Sequence, residues 1–326
     1  MNFSELFDSF SRKTILIIGD VMVDSYVWGK VERISPEAPV PVVSVEGKEH
    51  RLGGAANVAL NLKSLGASPI MCSIIGNDET GDLFSKLVAQ QQMETCGLVQ
   101  DANRKTTCKM RVISGAQHCL RIDDEISRPI THQQESQLIG KVATLLNTKS
   151  IDAIIFEDYD KGSVTPRVIQ EIIEIARNKG IPVTVDPKKR NFNNYKGATL
   201  FKPNFKELCE GMNVEVKKND FEAIHQLVIK FQSLMGIKHT MVTLSELGMI
   251  ITDGESFTHV PTHVREVADV SGAGDTVISV ATLCLACDVD IPTIAKISNI
   301  AGGLVCEHKG VVPVDKQQLF NILNKL

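Results

Sequence analysis

The segment Asp269-Val270-Ser271-Gly272-Ala273-Gly274-Asp275-Thr276 carries the strongest chemical signal in the chain. Two glycines and an alanine let the backbone turn tightly, and the apolar run Val277 to Cys287 then continues as a helix. The first N–H groups of a helix have no internal partner, and the aligned peptide dipoles add about half a positive charge there. Such a place suits an anion, above all the negative charge that builds up during phosphoryl transfer. Asp275 stands at this end, where a carboxylate can accept the proton of an attacking hydroxyl. The plainer reading is a helix N-terminus capped by an acidic residue, and this segment alone does not decide between the two.

A second glycine cluster points the same way. Leu52-Gly53-Gly54-Ala55-Ala56-Asn57-Val58-Ala59 again runs from glycines into a helix, with Asn57 in its first turn. Gly53 and Gly54 let a ligand approach the backbone, and Asn57 offers both a donor and an acceptor to hydroxyl groups. The alternative is a tight turn in which Asn57 bonds locally. Neither cluster is GxxxxGK[ST] or GxGxxG, and the missing GxGxxG counts against a nicotinamide-dependent oxidoreductase.

The elements that must position these residues alternate along the chain. Thr14 to Gly19 and Ile151 to Phe156 read as buried strands, followed by Pro182 to Val185, Thr199 to Phe201 and Thr240 to Leu244. Between two of them Thr165 caps a helix that Pro166 opens. Ile169, Ile172, Ile173 and Ala176 form its apolar face, and Gly180 ends it. Strand, helix, strand at this spacing implies a right-handed crossover and a mostly parallel sheet covered by helices on both faces. Ligands of such sheets bind beyond the carboxyl ends of the strands. Two stretches break the alternation. Residues 25–46 carry three prolines and no helical period, and residues 105–122 alternate polar and apolar positions. Both read as strands outside the main sheet, a small β lid inserted in a single α/β domain covering 1–326.

With 326 residues, 43% apolar and 23% charged, the chain has an ordinary globular composition. A net charge of −4 argues against nucleic acid held by bulk positive charge. No window is apolar enough for a membrane span, and the N-terminus lacks a signal peptide's basic start and apolar core. The eight cysteines are scattered, many within apolar runs, as reduced thiols are. Cys284 and Cys287 have CxxC spacing but lie on what reads as a buried helix face. The expected location is the cytoplasm.

Taken together, Gly53-Gly54-Ala55-Ala56-Asn57 and Asp269-Val270-Ser271-Gly272-Ala273-Gly274-Asp275 resemble, in order and spacing, the two signatures of the ribokinase-like, phosphofructokinase-B-type carbohydrate kinases. The resemblance covers essentially the whole chain, with Val270 standing where the family usually has threonine. It implies a ribokinase-like fold and makes Asp275 the catalytic base, with the amides of Gly272, Ala273 and Gly274 as the anion hole. Asp20, Gly53, Gly54 and Asn57 would hold the acceptor sugar. Asp20 follows the first strand and could instead cap a loop. Asn204-Phe205-Lys206-Glu207 is similar to the family's Asn-x-x-Glu motif, which implies contacts to ATP and to Mg²⁺, with Glu207 acting through water. Asn204 and Glu207 also fit a plain capping box. Thr243 to Gly248 resembles the nucleotide-facing turn, and Ala301 to Gly303 would border the adenine.

Within that family the similarity is greatest to the kinases of D-glycero-β-D-manno-heptose 7-phosphate in lipopolysaccharide-core precursor synthesis. Asp20 to Asp24, Arg33 to Val43, Asp158 to Gly162, Asp186-Pro187-Lys188 and Tyr195 to Leu200 carry it, although Lys189 stands where those kinases have glycine. This implies ATP- and Mg²⁺-dependent phosphorylation of the C1 hydroxyl. A phosphorylated sugar needs cations, and Lys109, Arg111 and Arg121 fall on the second lid stretch. Lys161 and Lys188 follow main-sheet strands and could face either substrate phosphate or ATP. Tyr26 and Trp28 are candidates for lid packing or a clasp between two lids, since the family implies a homodimer. Many relatives continue into a nucleotidyltransferase domain with a His-x-Gly-His motif, which this sequence lacks. Only the kinase step is therefore expected, with a separate nucleotidyltransferase possible later in the pathway. The alternatives are a kinase of ribose, fructose, a fructose phosphate or a nucleoside, and a sugar-binding regulator without catalysis.

Overall fold

A computed structural model describes residues 2–115, 117–262 and 266–325. Its thirteen strands are β1 (Thr14–Gly19), β2 (Val21–Ile34), β3 (Pro41–Gly54), β4 (Ser68–Gly76), β5 (Leu98–Asp101), β6 (Thr107–Ser114), β7 (Gln117–Asp124), β8 (Ala153–Glu157), β9 (Val183–Asp186), β10 (Leu200–Phe201), β11 (His239–Thr243), β12 (Met249–Thr252) and β13 (Phe257–Val260). Nine of them form one sheet in the order β13-β12-β11-β10-β9-β8-β1-β4-β5. All neighbours in it are parallel except at one edge, where β12 pairs antiparallel with both β11 and β13.

The near-continuous apolar run of β1 is what a strand buried on both faces requires. Ile15 and Ile17 point into one core layer, with Val58 and Leu62 of the helix Ala55–Ser64 and Ile278 and Ala281 of the helix Ala273–Ala286. Leu16 and Ile18 point into the other, with Val142 of His132–Thr148 and Ile169 and Ile172 of Pro166–Asn178. The period of two thus divides one strand between two helical layers. The helix at Pro166 follows its expected chemistry closely: Thr165 accepts a hydrogen bond from the Val168 amide, and Gly180 adopts a φ of +70° beyond its end.

The remaining strands form a second sheet, β3-β2-β6-β7, built on the two stretches expected to form a lid. It reaches further along the chain than the two stretches suggested, because β2 begins at Val21 and β3 runs on to Gly54. No described helix is long and apolar enough to cross a membrane.

Candidate functional site

The carboxyl ends of β11, β10, β9, β8 and β1 lie side by side, so Thr243, Lys202, Asp186, Glu157 and Asp20 form one row. Against this row stands the N-terminus of the helix Ala273–Ala286. Gly272 precedes it with a φ of +82°, a left-handed conformation that glycine adopts without strain. A side chain there would also meet Asn57, whose Nδ2 would lie 2.9 Å from an added Cβ. The amides of Gly272 and Gly274 have no protein partner among the described residues, and the Ala273 amide donates to the Val270 carbonyl at 3.3 Å. Of the three amides expected to form the anion hole, Ala273 is therefore already engaged within its own turn. Val270 itself is exposed and takes no part in the turn's side-chain bonding.

Asp275 lies in the first helical turn and is buried. Its Oδ2 accepts from Asn57 Nδ2 at 2.6 Å and its Oδ1 from the Tyr159 hydroxyl at 2.7 Å. Burial pushes the carboxyl above its ordinary range and Asp186 adds to this, while the two hydrogen bonds and Lys202 oppose it. Glu157 and Asp186 converge on the same spot, and the three acids bring ligating oxygens within 4.8 Å of one another. Glu157 Oε2 is buried with no hydrogen-bond partner. Burial, Asp186 and Asp275 together hold the Glu157 carboxyl far above the carboxylate range. Two lysines compensate. Lys202 Nζ, fully enclosed, lies 2.8 Å from Asp186 Oδ2, and Lys188 Nζ lies 2.8 Å from Glu207 Oε1. Burial lowers the pKa of both lysines, but Asp186 and Glu207 more than reverse it.

Asn204 and Glu207 form a complete capping box on the helix Phe205–Met212, so the plain structural reading of this pair is present. Glu207 also takes Lys188, which leaves neither of its oxygens without a partner. Phe205 packs against the core, and Lys206 points into solvent with only a 3.7 Å pairing to Glu210. Lys189 is also solvated and lies outside the left-handed region, so the glycine expected there is not required by the backbone. Thr243 does end its strand beside Asn204. Gly248 closes the β11–β12 turn at a φ of +86°, where an added Cβ would lie 2.0 Å from the Val260 carbonyl oxygen. Its need for glycine is steric.

Asp20 has a different task from the one expected. Its carboxylate accepts the amides of Tyr159, Lys161 and Ser163 at 3.0, 3.0 and 2.9 Å, so it clamps the loop after β8 and is not free to grip two hydroxyls. The carboxylate beside the paired glycines is Asp24. A Cβ on Gly53 would meet Asp24 Oδ2 at 2.2 Å, and Arg111 pairs with Asp24 Oδ1. Gly54, at φ +61°, is packed equally tightly against the Asp20 carbonyl.

The expected cations divide. Arg111 is committed to Asp24, Lys161 to Glu125 at 2.6 Å, and Arg121 is exposed and paired with Asp123. Among the described residues of this group, Lys109 alone has no carboxylate within ion-pair distance. It is half-buried, burial and then Lys161 lower its pKa, and its ammonium lies over the Tyr159 ring, 5.9 Å from the centroid. Tyr159, Glu157, Asp186 and Lys202 were not singled out from sequence as site residues. All four stand at or just after a strand's carboxyl end, and applying that rule to β8, β9 and β10 would have found them.

The model of the pfkB family carbohydrate kinases matches residues 12–317. Among curated proteins, the bifunctional protein HldE of Citrifermentans bemidjiense is 39% identical over 314 residues, covering 95% of this chain and 64% of its own length. HldE of Mesorhizobium japonicum is 39% identical over 316 residues, covering 96% and 62%. The chain thus spans less than two thirds of the length of these relatives. Among solved structures, phosphofructokinase-2 of Escherichia coli in complex with substrates and products superposes with a TM-score of 0.78 at 20% identity, covering 96% of this chain and 99% of that one. Ribokinase of Arabidopsis thaliana complexed with ribose and ATP gives 0.71 at 16% identity, covering 94% and 98%. The structural likenesses show a shared fold.

Proposed function

Because the chain belongs to the pfkB family of carbohydrate kinases, we propose that it transfers the γ-phosphoryl group of ATP to the C1 hydroxyl of D-glycero-β-D-manno-heptose 7-phosphate, giving the 1,7-bisphosphate. The observation that carries the transfer is Asp275, buried at a helix N-terminus beside the unpartnered amides of Gly272 and Gly274. Asp275 takes the proton of the attacking hydroxyl, and Asn57 fixes its orientation. The amides and the helix dipole stabilise charge on the phosphoryl oxygens. Lys188 lies on the nucleotide side of the cleft with Asn204 and Thr243, and Lys109 faces the phosphate of the acceptor. Asp24, framed by Gly53 and Gly54, holds the sugar.

The residues also fit the magnesium ion that accompanies ATP. Glu157 offers an oxygen that no protein donor uses, and Asp186 lies beside it. Glu207, with both oxygens already bonded, fits only through water. Bound there, the ion would neutralise phosphate charge as the γ-phosphoryl group leaves ADP.

Mg²⁺-dependent ADP release across heptose 7-phosphate, fructose 6-phosphate, ribose and fructose tests this function. Turnover is expected to be highest with heptose 7-phosphate. Preference for an unphosphorylated sugar would overturn the acceptor, and tight sugar binding without ADP release would favour a regulator.

The same reading extends to a homodimer. What supports it is the apolar surface of the lid, where Ile34, Val45, Leu120 and Ile122 are exposed along with Trp28, which stacks on Tyr26. Light scattering should give twice the 35.7 kDa chain mass, and a monomer mass at micromolar concentration would sink the idea.

A further inference from the structure

We propose that the hydroxyl of Tyr159 holds the acceptor-hydroxyl position at Asp275 until sugar binds, keeping water off the base and yielding to the incoming sugar. The inference rests on the kinase reading above, with Asp275 as base.

Both oxygens of Asp275 are occupied by neutral donors, so an attacking hydroxyl must displace or crowd one of them. The Asn57 side is closed. Asn57 has no exposed surface, lies against Gly272 and stands in the first turn of the helix Ala55–Ser64. Tyr159, although its phenol is buried, is half-exposed as a residue, so its side of Asp275 is the less enclosed of the two. An acceptor therefore reaches Asp275 from the side that Tyr159 covers.

The ring marks the place of the sugar body. Lys109 and Lys188 both approach it, with their ammonium groups 5.9 and 5.6 Å from its centroid. In the proposed function these are the cations nearest the acceptor phosphate and the nucleotide. The ring thus stands within reach of both cations, and cation–π attraction holds it there. Phosphates arriving on the two lysines would compete with that attraction and loosen the ring as the substrates bind. Burial and then Asp275 hold the phenol well above its ordinary pKa, so Tyr159 remains a donor and does not itself act as a base.

Only the side chain needs to move. The Tyr159 amide is fixed by Asp20, as are those of Lys161 and Ser163, and Asp160 at φ +59° and Gly162 at φ +91° wind the loop tightly between them. Tyr159 is thus a positioning residue acting through Asp275.

Removing the hydroxyl would let water take its place. That water's oxygen would bond to the γ-phosphorus, its proton would pass to Asp275, and the bond to the bridging oxygen would break with the electron pair leaving on ADP. The test compares the full chain with its Tyr159→Phe and Tyr159→Leu variants for ADP release from Mg-ATP without sugar, and for the KM of acceptor and ATP. In Tyr159→Phe, sugar-free release should rise about tenfold, roughly the worth of one hydrogen bond. The acceptor KM should fall several-fold and the ATP KM should stay, a split that loosened packing would not produce. Tyr159→Leu, which lacks the ring as well, should release at least as much. Unchanged sugar-free release in both variants, or a raised acceptor KM in Tyr159→Phe, would overturn the proposal. Sugar-free release needs no acceptor, so an error in the acceptor would show separately, as wild-type turnover confined to another sugar.

Discussion

Replacing Asp275 by asparagine should lower kcat by about a hundredfold or more, the usual loss on removing a general base. The amide has nearly the shape of the carboxylate but cannot take a proton. It also brings an NH₂ group toward Asn57 Nδ2 or the Tyr159 hydroxyl, where both natural partners are donors. ATP affinity should change little and the circular-dichroism spectrum should stay that of the folded chain, which separates loss of chemistry from loss of fold. Titration of the wild type adds a second expectation. The base works only when ionised, and burial raises its pKa. The rate should therefore fall on the acid side at a pH above the ordinary aspartate value of about 3.9. The residual activity of the variant should lack that step. A kcat within threefold of wild type would place the base elsewhere, with Glu157 and Asp186 the nearest carboxylates.

Lys109→Met should raise the KM for a phosphorylated acceptor by roughly 10- to 100-fold, the range for losing a charge-assisted hydrogen bond. Methionine keeps much of the apolar stem beside Tyr159 and removes only the charge. Because Arg111, Arg121 and Lys161 already have carboxylate partners, none of them replaces Lys109 without giving one up. The KM for ATP and for any unphosphorylated sugar should stay where it is. An unchanged KM for the sugar phosphate would mean that the phosphate lies against one of the paired cations.

Local signals in the sequence proved reliable where short-range physics decides the outcome. The apolar run at Thr14–Gly19, the helix opened at Pro166 and the glycine turn before Asp275 each depend on neighbours in the chain, and each was legible there. Asp20 was not, because its role is set by the amides of residues 159–163, which reach it only after folding. A carboxylate at a strand's end looks the same in sequence whether it faces the cleft or the next loop. Arg111 and Asp24 are likewise 87 positions apart, so the pairing that removes Arg111 from the free cations had no local trace. Glu207 shows a third case. Its spacing from Asn204 fits a capping box and a kinase motif equally well, and the cap is indeed formed.

The junction between the lid and the main sheet has a mechanical consequence. One residue, Asp20, separates β1 from β2, and β3 returns to the body at Gly54. These two crossings are bonded to each other, since the Ala55 amide donates to the Asp20 carbonyl at 3.0 Å. The start of β2 and the end of β3 thus share one bonded point, which can serve the second sheet as a fulcrum. The chain's other crossings, between β5 and β6 and after β7, are longer, and the first is tied to the body through Thr106, which accepts from the Gly76 amide and donates its own amide to Asp78. Rotation about that fulcrum would sweep the far ends of β2 and β3, at Ile34 and Pro41, through the largest arc. It would move Lys109 and Arg111 less, because they pair with Asp24 and Tyr26 near the fulcrum, and leave Asn57 and Asp275 in register. The same fulcrum carries the carboxylate that anchors the Tyr159 loop, so a swing of the lid and the footing of that loop share one bearing.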